Sequence, residues 1–212
     1  MLLIGMFDSP FVRRVAISMK LLGIDFKHAN WSVGKDFDRI RRHNPLGRVP
    51  TLVLDDGDAL SESGAILDYL DDFVGRERAL LPPTGRNRRA ALTLISIAIG
   101  AAEKGREQLY ERAFRPADKR YEPWVERCRL QMYGALAELE RLCAACAERQ
   151  WLVGDKISQA DITVSCAVTF LRESQRPDDL PTRYPSLMAR VDRCEVRPEF
   201  RSTHEPYSAP SG

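Results

Sequence analysis

The chain has 212 residues, 44% of them apolar, and carries a formal net charge of +2. This length suits one domain or two small ones, and the mixed charge gives no reason to expect a nucleic-acid partner. No apolar run is long enough to span a membrane, so we expect no membrane partner. The five cysteines and three histidines lack disulfide-framework or metal-ligand spacing. We therefore expect a reduced, cytoplasmic protein without a metal site.

The first part of the chain is predicted to alternate strands and helices. Residues 2–7 form a strand, and a helix follows with Ser9 at its N-cap, Pro10 as its first residue and Gly23 at its end. The next predicted elements are a strand at 25–31, a short helix at 36–43, strands at 51–54 and 59–60, and a helix at 63–73. The β-α-β unit implies parallel strands and the hairpin an antiparallel pair, so we expect a mixed four-stranded sheet covered by helices.

A Pro- and Gly-containing segment at 81–85 separates this part from a second part that is helical throughout. Helices are predicted at about 87–114, at 122–147, from Ser158 and near Pro185, and a Pro- and Ser-rich tail after His204 is expected to be disordered. The 122–147 helix has one apolar stripe, made of Val125, Cys128, Met132, Ala135, Leu139, Leu142 and Cys146. We expect an α/β domain at 1–77, a linker at 78–86 and an all-α domain at 87–212.

The helix that begins at Ser158 has a capping signal, with Asp161 at its third position and Ile157 and Ile162 as a hydrophobic staple. We interpret it as a folding element. The pair Cys143 and Cys146 has the spacing of a redox motif, but it continues the apolar stripe and no strand-to-helix turn is near. Core packing is the favoured interpretation.

Val49-Pro50 stands immediately before an apolar strand, where a proline without an N–H can be accommodated. One interpretation is a simple strand entry. The Val49–Pro50 bond is also predicted to be cis, which is accessible before proline and would free the main chain of Val49 to pair with an extended peptide.

The polar groups at two helix starts have two interpretations each. Ser9 can be a plain N-cap that accepts from the N–H of Val12, or its hydroxyl can donate to an anion at the positive end of the helix. Glu62 and Ser63 can cap their helix, or they can bind a small zwitterion. In that case Ser63 and the helix N–H groups hold a carboxylate and Glu62 an ammonium group.

The sequence resembles the cytosolic glutathione transferases along essentially its full length, most closely the serine-using bacterial and plant members. The resemblance rests on Ser9-Pro10-Phe11-Val12-Arg13, Asn44-Pro45-Leu46-Gly47-Arg48-Val49-Pro50, Glu62-Ser63 with Ala65-Ile66 and Tyr69-Leu70, and Ser158-Gln159-Ala160-Asp161. Each motif alone is weak, but their order is specific. It implies a thioredoxin-like domain that holds glutathione, an all-α bundle that supplies the electrophile pocket, no metal, and a homodimer.

The resemblance also assigns roles to particular residues. Ser9 would bond the glutathione sulfur, and the main chain of Val49 beside Pro50 would pair with the cysteinyl unit. Glu62 and Ser63 would bind the γ-glutamyl end. The remaining implied contacts are Lys35 and Arg48 at the glycyl carboxylate, Phe11 at glutathione and in the electrophile pocket, and Arg106 and Tyr110 in that pocket.

The implied chemistry fits the residue types. A free thiol with a pKa of about 8.5 is mostly protonated at neutral pH, and a helix N-terminus with a donated hydroxyl favours the thiolate. The thiolate would attack a hydrophobic electrophile, while Ser9 cannot itself form a mixed disulfide. Glutathione-dependent isomerisation or dehalogenation, and a binding protein without turnover, remain alternatives.

Overall fold

A computed structural model describes residues 1–175 and 179–209. Its first half contains a sheet of four short strands in the order β2-β1-β3-β4. The strands are β1 (Leu2–Ile4), β2 (Lys27–Ala29), β3 (Thr51–Val53) and β4 (Ala59–Ser61). β1 runs parallel to β2 and antiparallel to β3, which in turn runs antiparallel to β4. The predicted mixed sheet is confirmed, with β1, β2 and β3 shorter than predicted and β4 one residue longer.

Helices cover this sheet. They are α1 (Pro10–Leu22), α2 (Phe37–Arg41) and α3 (Ser63–Val74). α1 begins and ends as predicted: the Oγ of Ser9 accepts from the N–H of Val12 at 3.5 Å, and Gly23 takes a left-handed conformation with φ of 68°. Ile66, Leu67 and Leu70 point from α3 into the core, also as predicted.

The second half is helical. Its helices are α4 (Gly85–Phe114), α5 (Glu122–Ala144), α6 (Gln159–Gln175), α7 (Leu180–Arg183), α8 (Pro185–Glu195) and α9 (Pro198–Arg201). α6 is buried from Gln159 to Leu171 because α1, α4 and α8 pack around it. This helix therefore joins the two halves into one structure. None of the helices in the described ranges is long and apolar enough to cross a membrane.

The predicted stripe of α5 is correct in part. Its buried residues are Val125, Cys128, Met132, Leu136, Leu139 and Cys143. The core therefore takes Leu136 and Cys143, while Ala135, Leu142 and Cys146 are half-buried at its edge. The predicted stripe and the observed one differ by one residue position, and both are compatible with helical spacing. The contacts of α5 with α4 and α8 determine which of the two is buried.

Asp161 anchors the start of α6 more firmly than a first-turn cap requires. Its carboxylate accepts from the N–H of Leu152 at 2.8 Å and from the N–H and Oγ–H of Ser158 at 3.0 and 2.7 Å. Burial raises the pKa of Asp161, and these hydrogen bonds oppose the rise. The folding role predicted for this segment fits the contacts.

Arg13 of α1 ties the first half to the end of the chain. Its guanidinium makes a bidentate pair with Glu195 at 2.7 and 2.8 Å and donates to the carbonyls of Phe200 and Thr203. Arg13 is only 3% exposed. This buried pair fixes α8 and α9 against α1.

The segment after His204 is ordered up to Ala209, so the expectation of a disordered tail is wrong. The carboxylate of Glu205 accepts from the N–H of Phe7 at 3.1 Å, and the N–H of Tyr207 donates to Glu173 at 3.0 Å. Residues 210–212 of the predicted tail lie outside the described residues. Composition misled here because these hydrogen bonds join parts of the chain that are far apart in sequence.

Candidate active site

A cavity of about 610 Å³ opens between the N-terminus of α1, the loop before β3 and the C-terminal part of α4. The sequence-predicted residues that line it are Ser9, Phe11, Lys35, Arg48, Val49, Arg106 and Tyr110. Pro50, Glu62 and Ser63 do not line it. Pro50 is buried behind Val49, whereas Glu62 and Ser63 lie at the start of α3.

Ser9 places a hydroxyl at the cavity. It is half-buried, and its only side-chain hydrogen bond with other described residues is the long one that its Oγ accepts from Val12. The hydroxyl proton is therefore free to donate to a bound group. The N–H groups of the first turn of α1 add partial positive charge at the same place, which favours an anion there.

Val49 presents its main chain to the same cavity. The Val49–Pro50 bond is cis, as predicted, and within the described residues neither the N–H nor the C=O of Val49 has a hydrogen-bond partner. Asn44 holds the loop, since its Nδ2 donates to the carbonyl of Arg48 at 2.8 Å. Gly5 is required beside it, because a Cβ there would lie 2.8 Å from the Cβ of Val49.

Glu62 and Ser63 form a charged cap on α3. Glu62 has a φ of 74°, unusual for a residue with a side chain, and its Oε2 accepts from the N–H groups of Gly64 and Ala65 at 2.9 and 3.3 Å. Burial alone would raise its pKa. The bonds from Gly64 and Ser63 and the charge of Arg14 outweigh burial, so the pKa of Glu62 is lowered and the carboxylate is charged at neutral pH.

Arg14 lies beneath this cap, and its place there was not predicted from the sequence. Its guanidinium donates to the Oγ of Ser63 at 2.9 Å and to the Oγ1 of Thr163 at 3.3 Å. Burial lowers the pKa of Arg14 to about 10, which still leaves it charged at neutral pH. An amphipathic pattern assigns an arginine to the solvent, so only the packed structure reveals this one.

Basic side chains also line the cavity. Lys35 and Arg48 are both exposed and line it. Nearby, the guanidinium of Arg39 lies 4.0 Å from the ring centroid of Trp31, which also lines the cavity. Glu62 therefore places a negative group at the start of α3, whereas Lys35 and Arg48 bring positive groups to the cavity.

The wall of the cavity that the helical half forms together with Phe11 of α1 is aromatic. The guanidinium carbon of Arg106 lies 5.5 Å from the ring centroid of Phe11 and 5.8 Å from that of Tyr110. Burial raises the pKa of the Tyr110 phenol, against the opposing charge of Arg106. Phe170 and Tyr207 extend the wall, with ring centroids 5.9 Å apart in an edge-to-face arrangement.

Sequence reasoning missed Tyr207, Phe170, Trp31 and Asp8, all of which line the cavity. Asp8 had a usable signal, since it directly precedes Ser9 in the turn between β1 and α1. Tyr207 had none, because its place depends on contacts with distant residues.

The residues that the structure describes contain no group of His, Cys, Asp or Glu side chains arranged to hold a metal ion. The five cysteines are free, and burial raises the pKa of the Cys143 and Cys166 thiols to about 12. Such thiols are poor nucleophiles. None of the five cysteines lines the cavity, whose polar groups are the hydroxyl, the main chain and the charged groups described above.

Each half of the chain is matched by a protein-family model. The family model described as "Glutathione S-transferase, N-terminal domain" matches residues 3–78, and "Glutathione S-transferase, C-terminal domain" matches residues 122–189. The chain belongs to the glutathione S-transferase family.

Known relatives match this chain over at least nine-tenths of its length. A glutathione S-transferase from Methylobacterium radiotolerans, solved with glutathione sulfonate, is 31% identical with a TM-score of 0.88, and the match covers 98% of this chain and 95% of that one. The uncharacterized GST-like protein YibF of Escherichia coli K12 is 28% identical over 97% of this chain and 99% of its own. A maleylacetoacetate isomerase from Pseudomonas aeruginosa is 26% identical over 90% of this chain and 89% of its own.

Proposed function

We propose that this protein is a glutathione transferase that stabilises the glutathione thiolate at Ser9 for attack on a hydrophobic electrophile. The observation that supports this most is that Ser9, with a free hydroxyl, and Val49, whose main chain has no partner among the described residues, line the same cavity. The glutathione sulfonate in the M. radiotolerans relative supports glutathione as the ligand.

Glutathione lies as an extended strand across the first domain, which we assign to residues 1–77. Its cysteinyl unit pairs with the N–H and C=O of Val49, and Pro50 behind it fixes the loop. The γ-glutamyl end reaches the start of α3, where Glu62 takes the ammonium group and Ser63 and the helix N–H groups take the carboxylate. Because Arg14 already donates to the Oγ of Ser63, it adds positive charge beneath that carboxylate.

The glycyl carboxylate lies at Lys35 and Arg48, two basic residues that line the cavity. With both ends held, the thiol meets the Ser9 hydroxyl and the N-terminus of α1. Hydrogen bonds to a charged sulfur and the helix dipole both favour the thiolate. A drop of about two pKa units corresponds to roughly 2.7 kcal/mol.

The electrophile occupies a pocket in the part of the cavity that residues of the helical domain line. We assign this domain to 87–212, after a linker at 78–86. Phe11, Arg106 and Tyr110 line this pocket. The thiolate displaces a leaving group or adds to an activated carbon, and a thioether forms. Ser9 donates throughout and is not the nucleophile.

A glutathione-dependent isomerase is the second candidate, favoured by the full-length similarity to the P. aeruginosa isomerase. There the thiolate would add to an alkene, allow rotation about the resulting single bond, and leave again. The same Ser9 and Val49 contacts would serve, so the two candidates differ in substrate and not in the glutathione site.

We further propose a cytoplasmic homodimer. Five free cysteines fit a reducing compartment, and Phe73 of α3 and Leu92 of α4 are 58% and 45% exposed. Light scattering coupled to size exclusion measures the mass directly, and a monomer at micromolar concentration contradicts this part.

Three measurements test the function. They are glutathione binding by calorimetry, conjugation of a halonitroaromatic, and isomerisation of maleylacetoacetate. Ser9→Ala should raise the pKa of the bound thiol by about 1–2 units, or roughly 1.4–2.7 kcal/mol, and lower turnover at neutral pH accordingly. Ser96→Ala is the matched control, since Ser96 is an exposed serine of α4 whose hydroxyl donates to the carbonyl of Thr93.

The outcomes separate the candidates. No glutathione binding at millimolar concentration excludes both enzymes, and binding without turnover on either substrate indicates a binding protein. If Ser9→Ala leaves the thiol pKa and rate at wild-type values, Ser9 is only a helix cap.

A further inference from the structure

The electrophile pocket contains one feature that a purely hydrophobic substrate leaves unexplained. Arg106 lies in the aromatic wall, its side chain is 20% exposed, and its Nε is buried without a hydrogen-bond partner among the described residues. The buried Nε is out of reach of a ligand, but the exposed part of the side chain lines the cavity and can donate to one.

Arg106 is held in place from several sides. Its guanidinium lies over Phe11 of α1 and over Tyr110 one turn further along α4. The preceding residue, Gly105, lets α4 approach α6, because a Cβ there would lie 2.3 Å from the Cδ2 of Leu171. The position of the charge is therefore set by packing, close to the helix turn that carries Ser9.

The neighbouring acid leaves most of the guanidinium available. One NH2 group of Arg106 donates to Oε1 of Glu107 at 3.2 Å, in a partly exposed pair. A guanidinium has five N–H donors, so this bond leaves other N–H groups of the terminal nitrogens available.

The other charged groups that line the cavity are engaged or assigned elsewhere. Asp8 accepts from Ser208, and Asp36 accepts from the N–H of Ser32. Lys35 and Arg48 come from the first domain and belong to the glycyl end of glutathione in the proposed function. Arg106 is thus the cation that the helical domain brings to the described part of the electrophile pocket.

We propose that the electrophile carries a carboxylate, which Arg106 binds between Phe11 and Tyr110 beside the attacking thiolate. This inference rests on the proposed function and names its substrate class: an unsaturated or aromatic carboxylic acid. The apolar body contacts the aromatic wall, and the carboxylate accepts from Arg106. A charged donor in a partly desolvated site binds a carboxylate well and discriminates against a neutral isostere.

The reaction with an activated alkene balances without another reactant. The thiol proton goes to solvent, and the sulfur bonds to the alkene carbon that bears the carboxylate. The adjacent carbon bears a ketone carbonyl, which stabilises as an enolate the π pair that moves there, and this carbon then takes a proton from solvent. Nothing leaves, and the product is the thioether adduct.

Benzoylacrylate and benzoylacrylamide test the inference, because they share one shape and differ in one charge. With each rate divided by the uncatalysed rate, we expect a higher kcat/KM for the acid. Arg106→Gln should lower kcat/KM for the acid about 10- to 100-fold and leave the amide nearly unchanged. Arg106→Lys should restore part of the loss, and Arg112→Gln, which removes an exposed charge of the same helix, should change neither.

Calorimetry with S-methylglutathione and with the two thioether adducts separates this inference from the proposed function. Lack of S-methylglutathione binding would overturn both. Normal S-methylglutathione binding without a preference for the acid adduct would overturn the carboxylate inference alone. Equal losses for acid and amide in Arg106→Gln, or weakened S-methylglutathione binding, would also overturn it, since Arg106 would then shape the pocket or hold glutathione.

Discussion

The carboxylate of Asp8 accepts a hydrogen bond from the main-chain N–H of Ser208 at 3.2 Å, although 200 residues separate the two in sequence. Asp8 directly precedes Ser9, and Ser208 follows Tyr207. The contact therefore brings the last described segment of the chain to the edge of the candidate active site. It makes Tyr207 part of the pocket wall.

The first prediction concerns this wall. Tyr207→Ala removes an aromatic ring that packs edge to face on Phe170, an arrangement worth about 0.5–1.5 kcal/mol. We expect KM for an aromatic electrophile to rise about two- to tenfold, because the ring also faces the substrate, while the Kd of glutathione stays the same. Tyr121→Ala, at a tyrosine that is 64% exposed, is the control. Equal effects of the two substitutions on KM would refute the role of Tyr207.

The second prediction is a pH dependence of stability. Burial raises the pKa of Asp8 above 3.8; the bond from Ser208 opposes this and the charge of Glu205 adds to it. The folded state thus holds the proton more tightly than the unfolded state, and the contribution of Asp8 to stability falls as pH rises through the raised pKa. Asp8→Asn keeps an oxygen for the Ser208 N–H and removes this loss.

Melting temperatures measured from acid to neutral pH test the sign. The difference between Asp8→Asn and wild type should move in favour of the variant as pH rises. Asp118→Asn, at an exposed aspartate, should give a flat difference. A flat or opposite trend for Asp8→Asn would show that the carboxylate is not held in a desolvated site.

The third prediction concerns the pair between Arg13 and Glu195. Glu195→Ala leaves the Arg13 guanidinium buried without its carboxylate, and losing one partner of a buried pair costs about 3–5 kcal/mol. Glu126→Ala is the matched control. It breaks a bidentate pair with Arg129 at the same 2.7 and 2.8 Å, but on the surface, where water replaces the partner. Chemical denaturation should show a large loss for Glu195→Ala and none for Glu126→Ala, and similar losses would contradict the assignment.

Signals that act within a few residues could be predicted from the sequence. The cap at Ser9, the left-handed Gly23 and the turn before β4 depend on local backbone preferences, so the four strands and the main helices were placed correctly. The cis bond before Pro50 belongs to the same group.

Features that depend on long-range packing could not be predicted. Arg14 is buried because Ser63 and Thr163 receive its hydrogen bonds, and neither is near it in sequence. The end of the chain was expected to be disordered because its composition is polar, but Glu205 and Ser208 find partners in the first domain. In both cases the deciding contact lies in another element, where sequence patterns carry no information.

The last prediction concerns Glu62, which both caps α3 and carries the charge proposed to bind the glutathione ammonium group. Glu62→Gln keeps the side-chain length and one acceptor oxygen for the N–H groups of Gly64 and Ala65 but removes the charge. We expect KM and Kd for glutathione to rise about 10- to 100-fold, since hydrogen bonds to charged groups contribute about 1.5–3 kcal/mol. Glu62→Ala should also lose about 1 kcal/mol of stability with the cap. A Kd for glutathione that Glu62→Gln leaves at the wild-type value would show that the γ-glutamyl end binds elsewhere and that Glu62 only caps the helix.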